Sequence, residues 1–169
     1  RMRGEFKPGA VGFSQLVAGA QHLLGHRQRV EFHMLVVRPV EIDPAILFKD
    51  YPYFSGISQT SLVYFKEIAE LAFRLFPDAQ TVIDLANNDS SQLDAFKELG
   101  FKTYGVDPAE NLYPISIAKG HIVHCGMFPD LPPSMQMAYD IVTAENVVAH
   151  TSNPLLFLEG CKKIMHDGT

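Results

Sequence analysis

From Thr60 onward the chain alternates between two hydrophobic periods, and this alternation limits its possible folds more than any other feature. Leu62, Phe65, Ala69, Ala72 and Phe76 recur at helical spacing, with Ile68 and Leu75 widening the stripe, until Pro77 stops it. Short apolar runs then trade places with helix-patterned segments. TVIDLA is followed by a helix through Leu93, Phe96 and Leu99 that Gly100 ends, FKTYGVD by a helix near Asn111 to Ala118. HIVH leads through a Pro-rich loop to YDIVTA, and a last helix covers Phe157, Cys161, Ile164 and Met165. Repeated strand and helix of this length bury their apolar sides as βαβ units. The expectation is an α/β fold, a Rossmann-like parallel sheet with helices on both faces.

The upstream part is less regular. An apolar segment around Leu16 to Leu24 suits one helix, and RVEFHMLVV alternates as a strand that ends before Pro39. EIDPAILFKDYPYFSGISQT is punctuated by Pro44, Pro52 and Gly56 and reads as a short helical turn and a loop. The chain thus divides into residues 1–38, an N-terminal arm or partial extra element, and the domain of residues 39–169. Its 169 residues are enough for one buried core, and 47% hydrophobic with 20% charged residues is ordinary for a globular chain. A net charge of −5 offers no electrostatic footprint for nucleic acid or an anionic membrane. No apolar run is long enough to span a bilayer and no signal-peptide layout opens the chain, so a cytoplasmic protein is expected. Cys125 and Cys161 are not spaced as CxxC and read as reduced, small core residues.

In an open parallel sheet, ligands bind beyond the carboxyl ends of the strands. Asp84, the turn from Asn87 to Ser91, Asp107, and Glu145 with Asn146 all fall at such ends. Dinucleotide sites place GxGxxG here so that backbone can approach a diphosphate at a helix N-terminus. This turn has Ala86, Asn88 and Ser90 where those glycines would lie, and Asp89 beside the helix start would repel a diphosphate. An NAD-dependent oxidoreductase is therefore disfavoured. A phosphate-free cationic nucleoside meets no such objection, and S-adenosylmethionine carries a ribose diol, a sulfonium and an ammonium that carboxylates suit. Asp107 lies 23 residues past Asp84, close to the spacing of about 20 at which an acid after the second strand takes ribose hydroxyls. The competing structural reading is that Asp89 is an N-cap whose capping-box partner is Gln92.

These residues resemble a known family. VIDLANNDSSQLDAFKELGFKTYGVDPAENLYPISIAKG is similar to the cofactor half of class I S-adenosylmethionine-dependent methyltransferases, closest to C-methyltransferases of nucleotide-linked keto-deoxysugars. ANNDS, GVDPAENL and AENVVAH match that group's successive motifs in order, and LFKDYPYFSGISQTSLVYFKEIAE is similar to the segment that leads into them. The resemblance covers about residues 40–169. It implies a cofactor site in which Asp84, Ala86, Asn87, Asn88 and Asp89 surround the methionine moiety, Asp107 with Pro108 the ribose, and Met127 with Phe128 the adenine. Glu145 and Asn146 would lie near the transferred methyl group, and Tyr53 and His150 in the reaction chamber. The competing readings are core packing for the Tyr53 ring and a satisfied histidine after a strand for His150.

The departures from that pattern bear on function. Ser90 replaces the usual glycine and would narrow the approach to the amino-acid end, and Glu145 replaces the usual first asparagine of the third motif, adding a charge. The family's zinc module of paired CxxC motifs has no counterpart. His22, His26, His33, His121, His124 and His166 lack cysteine partners at zinc spacing, so no metal is expected. The last strands of the full sheet are missing, which implies a C-terminally incomplete domain and an edge strand after Asp140 that a homodimer or a further domain would cover. The expected activity is methyl transfer to a small-molecule acceptor, with C-methylation beside a ketone the most specific form. His150 would then be the base or enolate stabiliser, and Glu145 the alternative base if burial raises its pKa. The alternative of a different class is a non-catalytic methyltransferase-like domain that serves binding or assembly.

Overall fold

The computed structural model describes residues 47–166. The expected helix at residues 16–24, the strand before Pro39 and the arm of residues 1–38 lie outside them. The described chain begins its regular structure with α1 (Gln59–Leu75), entered through a 3-10 turn at Ser55–Ile57. Ser58 caps α1, its hydroxyl accepting the Ser61 N–H at 3.3 Å; such a cap stabilises a helix by about 1 kcal/mol. There follow β1 (Thr81–Leu85), α2 (Ser91–Glu98), β2 (Lys102–Asp107), α3 (Tyr113–Ala118), β3 (Ile122–Cys125), β4 (Ile141–Thr143) and α4 (Pro154–Lys163). Gly100, at φ 93°, ends α2 in a conformation that a side chain would disfavour.

The four strands form one sheet in the order β3-β2-β1-β4, every pair parallel. Period-two alternation in β1 and β2 sorts the core into two layers. Ile83, Leu85, Tyr104 and Val106 face one side, where they pack with Phe157, Cys161 and Ile164 from α4 and its C-terminal end. Val82 faces the other side, where it meets Phe65 and Ala69 of α1 and Leu93, Ala95 and Phe96 of α2. The doubly covered parallel sheet expected from the sequence is the fold observed.

The apolar stripe of α1 is deeper in the sequence than in the structure. Phe65 and Ala69 are buried, whereas Leu75 and Phe76 are exposed, because the last turn of α1 runs past the apolar layer of its face. Cys161 is a buried core thiol, but Cys125 is only half-buried at the end of β3, and both are free. The edge after Asp140 is not bare at its start: Tyr139 forms a parallel bridge with Met165, its N–H donating to the Ile164 carbonyl at 2.8 Å.

Candidate functional site

Strand order fixes where a site can form. From β1 the chain steps outward to β2 and β3, then returns to place β4 on the other side of β1, so the topology reverses between β1 and β4. Helices leaving neighbouring strands in opposite senses leave a crevice at such a point. A cavity of about 290 Å³ opens there, lined by residues from every strand end and from the segment before α1.

Its floor is acidic. The register sets Asp84 of β1 opposite Gly105 of β2 and Thr143 of β4, and the Thr143 hydroxyl donates to Asp84 Oδ1 at 2.8 Å. Burial pushes the Asp84 carboxyl from its ordinary 3.8 up to about 8; the Thr143 bond pulls the other way, and the charges of Glu145 and Asp107 add to the rise. Asp107 at the end of β2 takes the Asn88 N–H on Oδ2 at 2.8 Å and the Ala109 N–H on Oδ1 at 2.9 Å. Burial raises its pKa too, against the pull of those two N–H groups. Glu145, half-buried past β4, accepts the Tyr64 hydroxyl of α1 at 3.4 Å on each oxygen. Three carboxyl groups therefore share one cavity, Asp84 holding its proton at neutral pH, and no Lys or Arg among the described residues lines it. A field of that sign suits a cation and opposes a phosphate.

The turn between β1 and α2 forms one wall. Ala86, Asn88 and Ser90 all hold positive φ, at 68°, 50° and 62°. The backbone thus follows a glycine-like path without glycines. Asn87 is locked by its own amide, whose Nδ2 donates to Ser90 Oγ at 2.7 Å and to the Asn88 carbonyl at 3.2 Å. Ser90 Oγ in turn lies 2.7 Å from Ser116 Oγ of α3. Two buried polar atoms of this wall, Asn87 Oδ1 and Gln92 Nε2, have no hydrogen-bond partner among the described residues.

The segment before α1 forms the roof. Phe48, Tyr51, Tyr53 and Ser55 line the cavity from this side. Side-chain amides hold the segment down: Asn88 donates to the Tyr53 carbonyl at 3.0 Å and accepts the Ser55 N–H at 2.9 Å. Asn111 does the same for Tyr51, at 2.9 and 3.0 Å.

Of the residues singled out in the sequence, Tyr53, Asp84, Ala86, Asn87, Asn88, Asp107, Pro108, Met127, Phe128, Glu145, Asn146 and His150 all line this cavity. Asp89 does not. Its carboxylate takes the Gly56 N–H at 2.9 Å and the Ser91 N–H at 3.2 Å, so it is spent on local structure. Neither is it the N-cap. That position is Ser90, which makes no side-chain cap, and Gln92 is a buried cavity residue rather than a capping partner. Tyr53 is exposed rather than packed in the core, and the His150 ring stands edge-on to Phe48 at 6.2 Å. Sequence reasoning missed Phe48, Tyr51, Ser61, Tyr64 and Gln92 as lining residues. For Gln92 a signal existed: it sits four residues before Phe96, on the buried stripe of α2.

The sheet order and the crevice beside it are those of a Rossmann-like domain, a fold shared with solved S-adenosylmethionine-dependent methyltransferases. No family model matches the chain. An 81-residue stretch is 26% identical to the C-methyltransferase NovU of Streptomyces niveus, spanning 47% of this chain and 19% of that protein. The sugar N-methyltransferase KedS8 from a Streptoalloteichus species superposes with a TM-score of 0.60 at 17% identity, over 81% of this chain and 57% of that one. The amino pentose methyltransferase CalS10 of Micromonospora echinaspora, solved with S-adenosylmethionine bound, superposes with a TM-score of 0.50 at 14% identity, over 69% of this chain and 54% of that one. The resemblance read from the motifs is thus borne out at the level of the fold, and the chain spans little more than half the length of those solved relatives. Among the described residues no helix is long and apolar enough to cross a membrane, and no cluster of metal-ligating side chains occurs.

Proposed function

We propose that this chain binds S-adenosylmethionine and forms the cofactor-binding part of a methyltransferase for a small-molecule acceptor. The observation that carries the reading is the acid-floored cavity at the topological switch point, free of Lys and Arg among the described residues. Its chemistry fits the group. Asp107 keeps a lone pair on each oxygen for a ribose diol, next to Pro108. Ala86, Asn87 and Asn88 hold the methionine moiety, with the Asp84 carboxyl beneath as a hydrogen-bond acceptor for the ammonium. Met127 and Phe128 flank the base; Glu145 and Asn146 border the methyl group. When bound, the cofactor supplies an electrophilic methyl on a cationic sulfur.

The acceptor side is the aromatic roof with His150. The similarity to the C-methyltransferase NovU favours carbon as the atom methylated, and the motif resemblance favours a carbon beside a ketone. In that reaction His150 takes the proton, the C–H electron pair becomes the enolate, and the Tyr53 hydroxyl donates to the enolate oxygen. Glu145, oriented by Tyr64, is the alternative proton acceptor. Position and desolvation are what the chain contributes.

Calorimetric titration with S-adenosylmethionine and S-adenosylhomocysteine tests the core of this reading. Binding is expected, and Asp107→Ala, checked by circular dichroism to be folded, is expected to weaken it at least about tenfold, the cost of losing hydrogen bonds to a charged group. A folded wild-type chain that binds neither compound would refute the reading and favour an assembly role.

A further inference from the structure

We propose that Gly160, which does not itself line the cavity, is a positioning residue that sets the width of one end of it from behind, through the ring of Phe128. The inference rests on the cofactor reading above and adds to it a residue of α4 that decides whether a flat heteroaromatic base fits. Gly160 is buried in the interior of α4. A glycine there weakens a helix relative to alanine, so the position needs a reason. The reason is a close approach. A Cβ on Gly160 would meet Pro129 Cβ at 2.6 Å and Phe128 Cε1 and Cζ at 2.9 Å each, well inside the roughly 3.5–4.0 Å of a carbon contact.

One turn earlier on the same face of α4, Phe157 meets the Phe128 ring edge-on, with centroids 5.0 Å apart. The helix thus offers the ring a slot, an aromatic edge at one turn and bare backbone at the next. The same ring lines the cavity, so Phe128 stands between α4 and the space a ligand would fill. Its loop is tied by its own turn: the Asp130 N–H donates to the Met127 carbonyl at 2.9 Å and the Leu131 N–H to the Pro129 carbonyl at 3.0 Å. Phe128 and Pro129 therefore shift together, and a side chain at position 160 drives them away from α4 and into the cavity. Ribose and amino-acid contacts belong to other elements, at Asp107 and the turn after β1, so the change falls on the base.

The test compares S-adenosylhomocysteine with S-ribosylhomocysteine, which keeps the ribose and the amino acid but lacks the base. Both are measured by calorimetry on the 169-residue chain, the second through its competition with the first. Gly160→Ala is expected to weaken S-adenosylhomocysteine about tenfold, within the usual cost of overpacking, and to leave S-ribosylhomocysteine as it was. Adding Phe128→Leu removes the far end of the ring and is expected to return most of the loss, a coupling that a double-mutant cycle reads. A fault in the fold at large would weaken both compounds and would not answer to Phe128. Equal weakening of both, unchanged affinity for both, or no coupling with Phe128 would overturn the proposal. Should Gly160→Ala fail to fold, the paired variant carries the test: it is expected to fold and to bind as Phe128→Leu does, and a pair that stays unfolded would also overturn the proposal. A wild type that binds neither compound overturns the cofactor reading, and this proposal falls with it. One that binds both compounds alike overturns the base end assigned here and leaves the cofactor site standing.

Discussion

Ala86 holds φ at 68°, where Cβ crowds the following carbonyl and an L-residue is strained by roughly 1–2 kcal/mol. Asn88 tolerates the same region because its short polar side chain bonds locally, here to the roof. Ser90 is compensated by its Oγ contacts to Asn87 and Ser116. Ala86 has no such compensation, and it lines the cavity. Ala86→Gly is therefore expected to raise stability by about 0.5–1 kcal/mol, the strain less the greater backbone entropy of glycine. Urea denaturation measures it, and a lower midpoint for the variant would sink the argument. The sequence located this turn and its acids, but nothing in its local pattern shows that the backbone follows a glycine-like path. It takes it at a cost, because hydrogen bonds and packing from α3 and the roof hold it there. Those partners are distant in sequence, which is why the local pattern could not show it.

The turn depends on β2 as well as on its own residues. A Cβ placed on Gly105 would meet Asn87 Oδ1 at 2.5 Å and Cγ at 2.6 Å, so β2 is bare where Asn87 lies against it. Gly105→Ala is expected to destabilise the fold by about 1–3 kcal/mol, the usual cost of overpacking, and to weaken ligand binding with it. Chemical denaturation with a parallel titration checks both, and an unchanged midpoint would mean that Asn87 moves aside freely. Elements themselves were the most legible part of this sequence. All four strands and helices α1 and α2 fall where the hydrophobic period puts them, since burial on a two-faced sheet enforces that period, whereas α4 ends at Lys163, short of the expected Ile164 and Met165, because Met165 bridges Tyr139 instead. The helix expected from Asn111 begins only at Tyr113, because Asn111 and Glu110 are committed to the roof at Tyr51 and Lys49. Such long-range bonds leave no periodic trace.

At the scale of the whole molecule, the buried acid links fold stability to pH. Folding raises Asp84 from 3.8 to about 8, so the native state keeps a proton that the unfolded chain has already lost. Its contribution is fully present below the unfolded value and is lost as pH rises through the folded one. Comparison with Asp84→Asn isolates this group from Asp107, which shifts the same way, and from Asp140, whose bonds to His166, Gln80 and Thr81 lower its pKa. Between about pH 5 and about pH 8.5 the wild type is expected to lose stability relative to the variant, as measured by urea midpoints. A difference that stays flat over that range would count against a protonated Asp84. The acid itself was visible in the sequence as a lone carboxylate in an apolar strand; its burial and its Thr143 partner follow from a strand order that no local pattern encodes.

The roof is hung mainly from the side chains of Asn88, Asp89 and Asn111, with no strand ladder between it and the sheet. Lifting it breaks those bonds and leaves the ladders of β1, β2, β3 and β4 intact. Freeing the roof is thus expected to cost far less than unfolding, and Asn88→Ala or Asn111→Ala to lower that cost without touching either apolar layer.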